Sequence, residues 1–179
     1  MIFEKPGKIN TQDTVSIALA CARERNIGQI VIASNSGESA LLLADSGLTA
    51  VCVTHVNGFV NNGENEMPAE MRAHLEAHGV RVCTASHVLS GVERGISSRS
   101  GGMYPAEMIA NTLRMFGQGL KVCVEGAVMA LDAGLIVYGV PVIAIGGTGR
   151  GSDTAIILSP AHAQRIFETR IHEILCKPY

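Results

Sequence analysis

Short apolar runs alternate along the chain with amphipathic stretches. Thr14–Arg25 places Val15, Ala18, Leu19 and Ala22 at helical spacing. Asn10 or Thr11 is positioned to cap that helix, Asp13 suits its first turn and Gly28 ends it. Gln29–Ala33 follows as a buried strand, then the polar turn 34–39, a second helix over Ala40–Ala44 closed by Gly47, and the strand Ala50–Thr54. This is a β-α-β unit. A turn-rich loop, His55–Glu66, leads to a helix with Pro68 at its first position, running to His78 and closed by Gly79. Val80–Ala85 is the third strand. Apolar strands separated by helices predict a parallel sheet covered on both faces.

The pattern then changes. Ser86–Met103 reads as a long, glycine-punctuated loop, with Val88–Val92 as its only helical stretch. Long loops of this kind are usually functional or disordered. Pro105–Phe116 and Gln118–Ala133 are the next two helices, the second rich in small residues. Pro141–Ile145 is the fourth strand, and a glycine-rich loop leads straight to Thr154–Leu158, which the short connection predicts to be antiparallel. Ser159–Thr169 reads as a turn with a short helical piece, and Ile171–Cys176 as an edge strand. No internal repeat interrupts the single domain expected for 179 residues.

Composition narrows the function classes. A chain this long buries roughly 70% of its unfolded surface and needs no covalent staple. With 47% hydrophobic and 17% charged residues, disorder is excluded. A net charge of −2 and only three Tyr, four Phe and no Trp argue against a nucleic-acid partner, which calls for a basic footprint or stacking aromatics. The most apolar stretch, Leu120–Val140, is broken by Lys121, Glu125 and Asp132, so no membrane span is expected. Glu4 and Pro6 stand where a signal peptide would be apolar, and five scattered cysteines form no C-x-x-C. A cytoplasmic location with cysteines as small buried residues is the expectation.

Candidate chemistry gathers at strand ends. Ser34-Asn35-Ser36-Gly37-Glu38-Ser39 lies between a strand and a helix, where open α/β sheets bind ligands. Its hydroxyls, a glycine permitting close approach and the following helix N-terminus suit a phosphate, although a plain helix cap is the competing reading and Glu38 would repel an anion. Thr54-His55-Val56-Asn57-Gly58-Phe59 follows the second strand: His55 offers a titratable ring and Phe59 a cover for a planar ligand, unless both serve packing. His87 sits at the equivalent edge of the third strand. Gly146-Gly147-Thr148-Gly149-Arg150-Gly151-Ser152-Asp153 fits neither G-x-G-x-x-G nor a Walker loop, but can form an anion-binding nest or a flexible hairpin turn. Arg94 and Arg99, and more weakly Asn111 and Arg114, are candidates to line the same cleft. His74 and His78 have metal-ligand spacing, but His-Leu-Glu-Ala-His is not the zincin order and Met71 and Leu75 already define the buried stripe, so no metal is expected, and no G-x-S-x-G supports a hydrolase.

Residues 14–54 resemble the carboxyl-terminal domain of pyruvate kinase, through Val15–Ala20, Ile30–Ala33, Ser36–Ala40 and Ala50–Thr54. Over its whole length the chain is similar to a stand-alone prokaryotic family of such domains. The similarity lies in Thr54-His55, His87–Gly95, Tyr104–Glu107, Asn111–Gly119 and Gly146–Gly151. The resemblance implies a three-layer α/β/α fold with a mostly parallel five-stranded core sheet. Counting from Gln29–Ala33, its order is 3-2-1-4-5 with strand 5 antiparallel. In pyruvate kinases with an effector site, the loop corresponding to Ser34–Ser39 holds an effector phosphate. Kinase activity is not implied, because the catalytic barrel is absent. The stand-alone family implies FMN, with its phosphate at Ser34–Ser39 and its ring bordered by His55, Asn57, Gly58, Phe59 and the 146–153 loop. The expectation is an FMN-binding protein, with an oxidoreductase activity open. A non-catalytic sensor of a phosphorylated metabolite and a partner-binding domain with vestigial loops are the alternatives. A homo-oligomer is the base-rate expectation.

Overall fold

A computed structural model describes residues 1–179. Seven strands form one mixed sheet: β1 (Ile2–Phe3), β2 (Gln29–Ala33), β3 (Thr49–Val53), β4 (Val80–Cys83), β5 (Val142–Gly146), β6 (Thr154–Ser159) and β7 (Arg170–Pro178). Their spatial order is β1-β7-β6-β5-β2-β3-β4. The central five have the expected order. β5, β2, β3 and β4 are parallel, with Ile30 opposite both Ala50 and Ile143, and β6 is antiparallel to β5.

Five α-helices accompany the sheet: α1 (Thr11–Arg25), α2 (Ala69–Ala77), α3 (Gly91–Ser100), α4 (Pro105–Arg114) and α5 (Gln118–Asp132). The strand alternation sorts the core into two layers. Ile30, Ile32, Ala50, Cys52, Ile143 and Ile145 pack with Val15, Ala18 and Ala22 of α1 and Leu75 of α2. Val31, Val51, Val53, Val142 and Ala144 point the other way, onto Cys123, Val124 and Ala127 of α5. Near-continuous apolar strands are therefore required, since each strand is buried on both faces.

Several elements differ from the sequence reading. Ala40–Leu43 is a four-residue 3-10 turn rather than a helix. Most of the expected 86–103 loop is α3, starting at Gly91 rather than Val88. α3 buries none of its residues, so no apolar stripe marks it. β7 is not the edge: it pairs antiparallel with β6, and β1 adds parallel to its outer side. Asn26, at φ 53°, closes α1 ahead of Gly28. The expected caps of α1 bond elsewhere instead. The Asn10 amide donates to the Lys5 carbonyl at 2.7 Å, and Thr11 Oγ1 accepts from the Ser152 amide at 3.0 Å. No helix is long and apolar enough to cross a membrane.

Candidate functional site

The carboxyl ends of β2, β3, β4 and β5 open onto one cavity of about 760 Å³. Small-molecule and cofactor sites span about 300–1,000 Å³. The 34–39 loop continues β2, and its first amide extends the ladder by donating to the Val53 carbonyl at 3.0 Å. Ser34, Asn35, Ser36, Glu38 and Ser39 line the cavity. Ser34 and Ser39 are each only 8% exposed. Neither hydroxyl takes part in the side-chain hydrogen bonds of the loop, so both remain available to a ligand.

Gly37 does something else. It has φ +90°, and a Cβ there would stand 2.4 Å from Met71 Cγ and 3.3 Å from Leu75 Cδ1. It lets the loop seat on α2, and it does not line the cavity. The 3-10 turn that follows is too short to present a macrodipole. The positive charge at this loop comes from side chains. Lys8 Nζ donates to Glu38 Oε2 at 2.8 Å, and this bond, reinforced by the charges of Lys8 and Arg150, lowers the Glu38 carboxyl below its ordinary value. The carboxylate that would repel an anion is thus neutralised.

Beyond β3, Thr54 Oγ1 and Thr84 Oγ1 lie 2.7 Å apart, and Arg72 donates to Thr84 at 2.6 Å. The network fixes the base of the next loop. His55 Nδ1 meets Glu66 Oε2 at 2.5 Å, and the His55 and Phe59 rings stack with centroids 3.7 Å apart. His87 completes the group at 5.4 Å from His55 and 5.9 Å from Phe59. Burial holds His87 below its ordinary pKa, opposed by the charge of Glu125 and assisted by His55 and Lys121. Asn57 and Gly58 are not in the wall. Asn57 Oδ1 accepts from the Asn65 amide at 2.8 Å, and the Gly58 amide, with φ +81°, donates to the Glu64 carbonyl at 2.8 Å, so both shape the loop.

The glycine-rich loop contributes Gly147, Gly149, Arg150 and Gly151 to the wall, while Gly146 and Thr148 stay behind it. A Cβ at Gly146 would stand 2.4 Å from the Gly119 carbonyl, so that glycine permits close packing of β5 on α5. Asp153 is fully buried and accepts from the Gly7 amide at 2.9 Å, the Thr148 amide at 3.1 Å and the Thr154 hydroxyl at 2.8 Å. It ties the N-terminal segment, and with it Lys8, to the loop carrying Arg150.

The opposite wall comes from α3, α4 and α5, and the sequence marked it only faintly. Arg94, Asn111 and Arg114 reach it and Arg99 does not. Lys121 and Glu125 form a buried ion pair on α5 that sequence reasoning missed. Glu125 Oε1 also accepts from the Leu89 amide at 3.0 Å. The available signal was two charges four residues apart inside the most apolar stretch. The five cysteines are free and buried, and desolvation pushes the Cys52 thiol up to about 12. His78 Nδ1 lies 2.8 Å from the His74 carbonyl oxygen, and no group of three potential metal ligands forms.

The chain is an α/β domain whose cavity, walled by loops on one face and helices on the other, lies outside the carboxyl ends of its parallel strands, the place where open α/β sheets bind ligands. Residues 12–158 match the pyruvate kinase alpha/beta domain, and the chain belongs to that family. The matched segment contains β2 to β5, β6 up to Leu158, and every cavity-lining residue except Lys8.

Proposed function

We propose that this protein binds FMN in the cavity, with the phosphate at the Ser34–Ser39 loop. The observation that carries this reading is the pairing of the unengaged hydroxyls of Ser34 and Ser39, two buried residues, with the unpaired Arg150 charge on one wall, where Lys8 offsets Glu38. The stacked His55 and Phe59 and the nearby His87 border a flat ligand, and the cavity volume suits a cofactor of this size. The residues present therefore fit the group. When bound, a flavin supplies hydride and one-electron chemistry. The chain's own residues hold the phosphate, cover the ring and exclude water. A cytoplasmic location accords with five free cysteines.

The reading is tested by mass spectrometry of the ligand released from native protein, and by fluorescence titration of stripped protein with FMN and riboflavin. FMN is expected to bind at least about tenfold more tightly than riboflavin, as one charge-assisted phosphate contact suffices for that ratio. Arg150→Gln should remove most of the difference. Protein that carries no flavin and takes none up overturns the reading. Thermal stabilisation by phosphosugars but not by FMN would establish the sensor reading in its place.

A further inference from the structure

Arg94 and Arg114 stand on the cavity wall opposite the Ser34–Ser39 loop. That loop seats on α2 through Gly37, on one face of the sheet. α4 packs on α5, which covers the other face. The cavity therefore has unpaired cations on two separate walls: Arg150, beside the Lys8–Glu38 pair, and Arg94 and Arg114 on α3 and α4.

Arg114 is held in an unusual way. Its Nε donates to Gln118 Oε1 at 2.7 Å and its Nη1 to Asn111 Oδ1 at 2.8 Å. Both acceptors are neutral amides, so the guanidinium is oriented without being neutralised, and Nη2 remains free. Asn111 and Gln118 themselves line the cavity. Arg94 makes no ion pair, and neither carboxylate of the same wall engages either arginine. Glu107 accepts from the Ser97 hydroxyl at 2.8 Å and the Tyr104 amide at 3.3 Å, and Glu125 is taken up by Lys121 and the Leu89 amide. A fixed guanidinium with free donors is the residue of choice for a planar or tetrahedral oxyanion.

We propose that this wall is a second anion subsite, which takes the carboxylate or phosphate of a small-molecule substrate lying beside the cofactor. That its occupant is a substrate rests on the FMN reading, whereas the subsite itself does not. The first wall already commits Arg150 and two hydroxyls to one phosphate monoester, whose charge is about −1.5 to −2, with Lys8 held by Glu38. The second wall is left for a different group.

Calorimetric titration of the full chain with inorganic phosphate, before and after saturation with FMN, tests the subsite. Flavin-free protein should take two phosphates per chain and FMN-loaded protein one. The Arg94→Gln/Arg114→Gln variant should lose the phosphate that persists with FMN, by about tenfold or more in affinity, while FMN affinity stays within about twofold. Malonate titrated in place of phosphate distinguishes the sources: tighter malonate binding assigns a carboxylate, tighter phosphate binding a phosphoryl group. Two phosphate sites in a protein that binds no FMN would retain the subsite and refute the cofactor. A single phosphate per flavin-free chain, or unchanged phosphate affinity of the double variant, overturns the subsite.

Discussion

Lys121 and Glu125 carry opposite charges inside the helix that packs most deeply on the sheet. Their side chains are 6% and 8% exposed. Removing one partner of such a pair leaves an uncompensated buried charge, at a cost of about 3–5 kcal/mol, whereas replacing both with apolar groups is often neutral. Lys121→Met should therefore lower the unfolding free energy by about that amount in urea denaturation, and Lys121→Met/Glu125→Leu should recover most of it. A loss under about 1 kcal/mol in the single variant would mean that water from the cavity solvates Glu125. In the sequence these two residues argued only against a membrane span, because nothing local shows where a helix turns its charged positions. Gly37 teaches the same lesson in reverse. As a strand-end glycine among hydroxyls it suggested close approach of a ligand, but its missing side chain makes room for Met71.

At the scale of elements, α3 and α5 are opposites. α5 buries twelve of its fifteen residues and α3 none of its ten. Local opening free energies follow such burial, so amide exchange should be fast throughout α3 and slow in α5. Hydrogen-exchange mass spectrometry of 91–100 and 118–132 checks this, and comparable protection in the two segments would contradict it. The same contrast decided which elements were legible. Amphipathic or wholly apolar segments such as α1, α5 and the core strands declare themselves through period and length. α3, with Gly91, Gly95 and no buried face, declares nothing and reads as a loop. The 40–43 segment fails from the other side. Its apolar run is long enough to suggest a helix, but Asp45, at φ 54°, and Gly47, at φ 75°, turn the chain into β3 after a single 3-10 turn.

For the molecule as a whole, β7 and β1 complete the sheet outside the segment matched to the family. β7 covers β6, whose residues Thr154–Leu158 are all buried, and inserts fully buried Cys176 into the core. A chain ending at Thr169 would leave β6 as an unpaired apolar edge, the arrangement that templates self-association. Size-exclusion chromatography of that truncation should show oligomers or aggregate. A well-folded monomer would mean that β7 is dispensable. By itself the sequence determined the α/β class, and its family resemblance the order of the five central strands. Two-sided burial forces continuous apolar strands, and the helices between them force parallel neighbours. It also placed the 34–39, 55–59 and 146–153 segments at strand ends. Only the tertiary structure decided which side chains within those segments face the cavity, and that α3 and α4 supply a second cationic wall. It also decided that a two-residue strand at the N-terminus forms one edge of the sheet. Those outcomes depend on contacts between residues far apart in the chain, such as Gly7 with Asp153 and Ile2 with Lys177, and no local pattern encodes them.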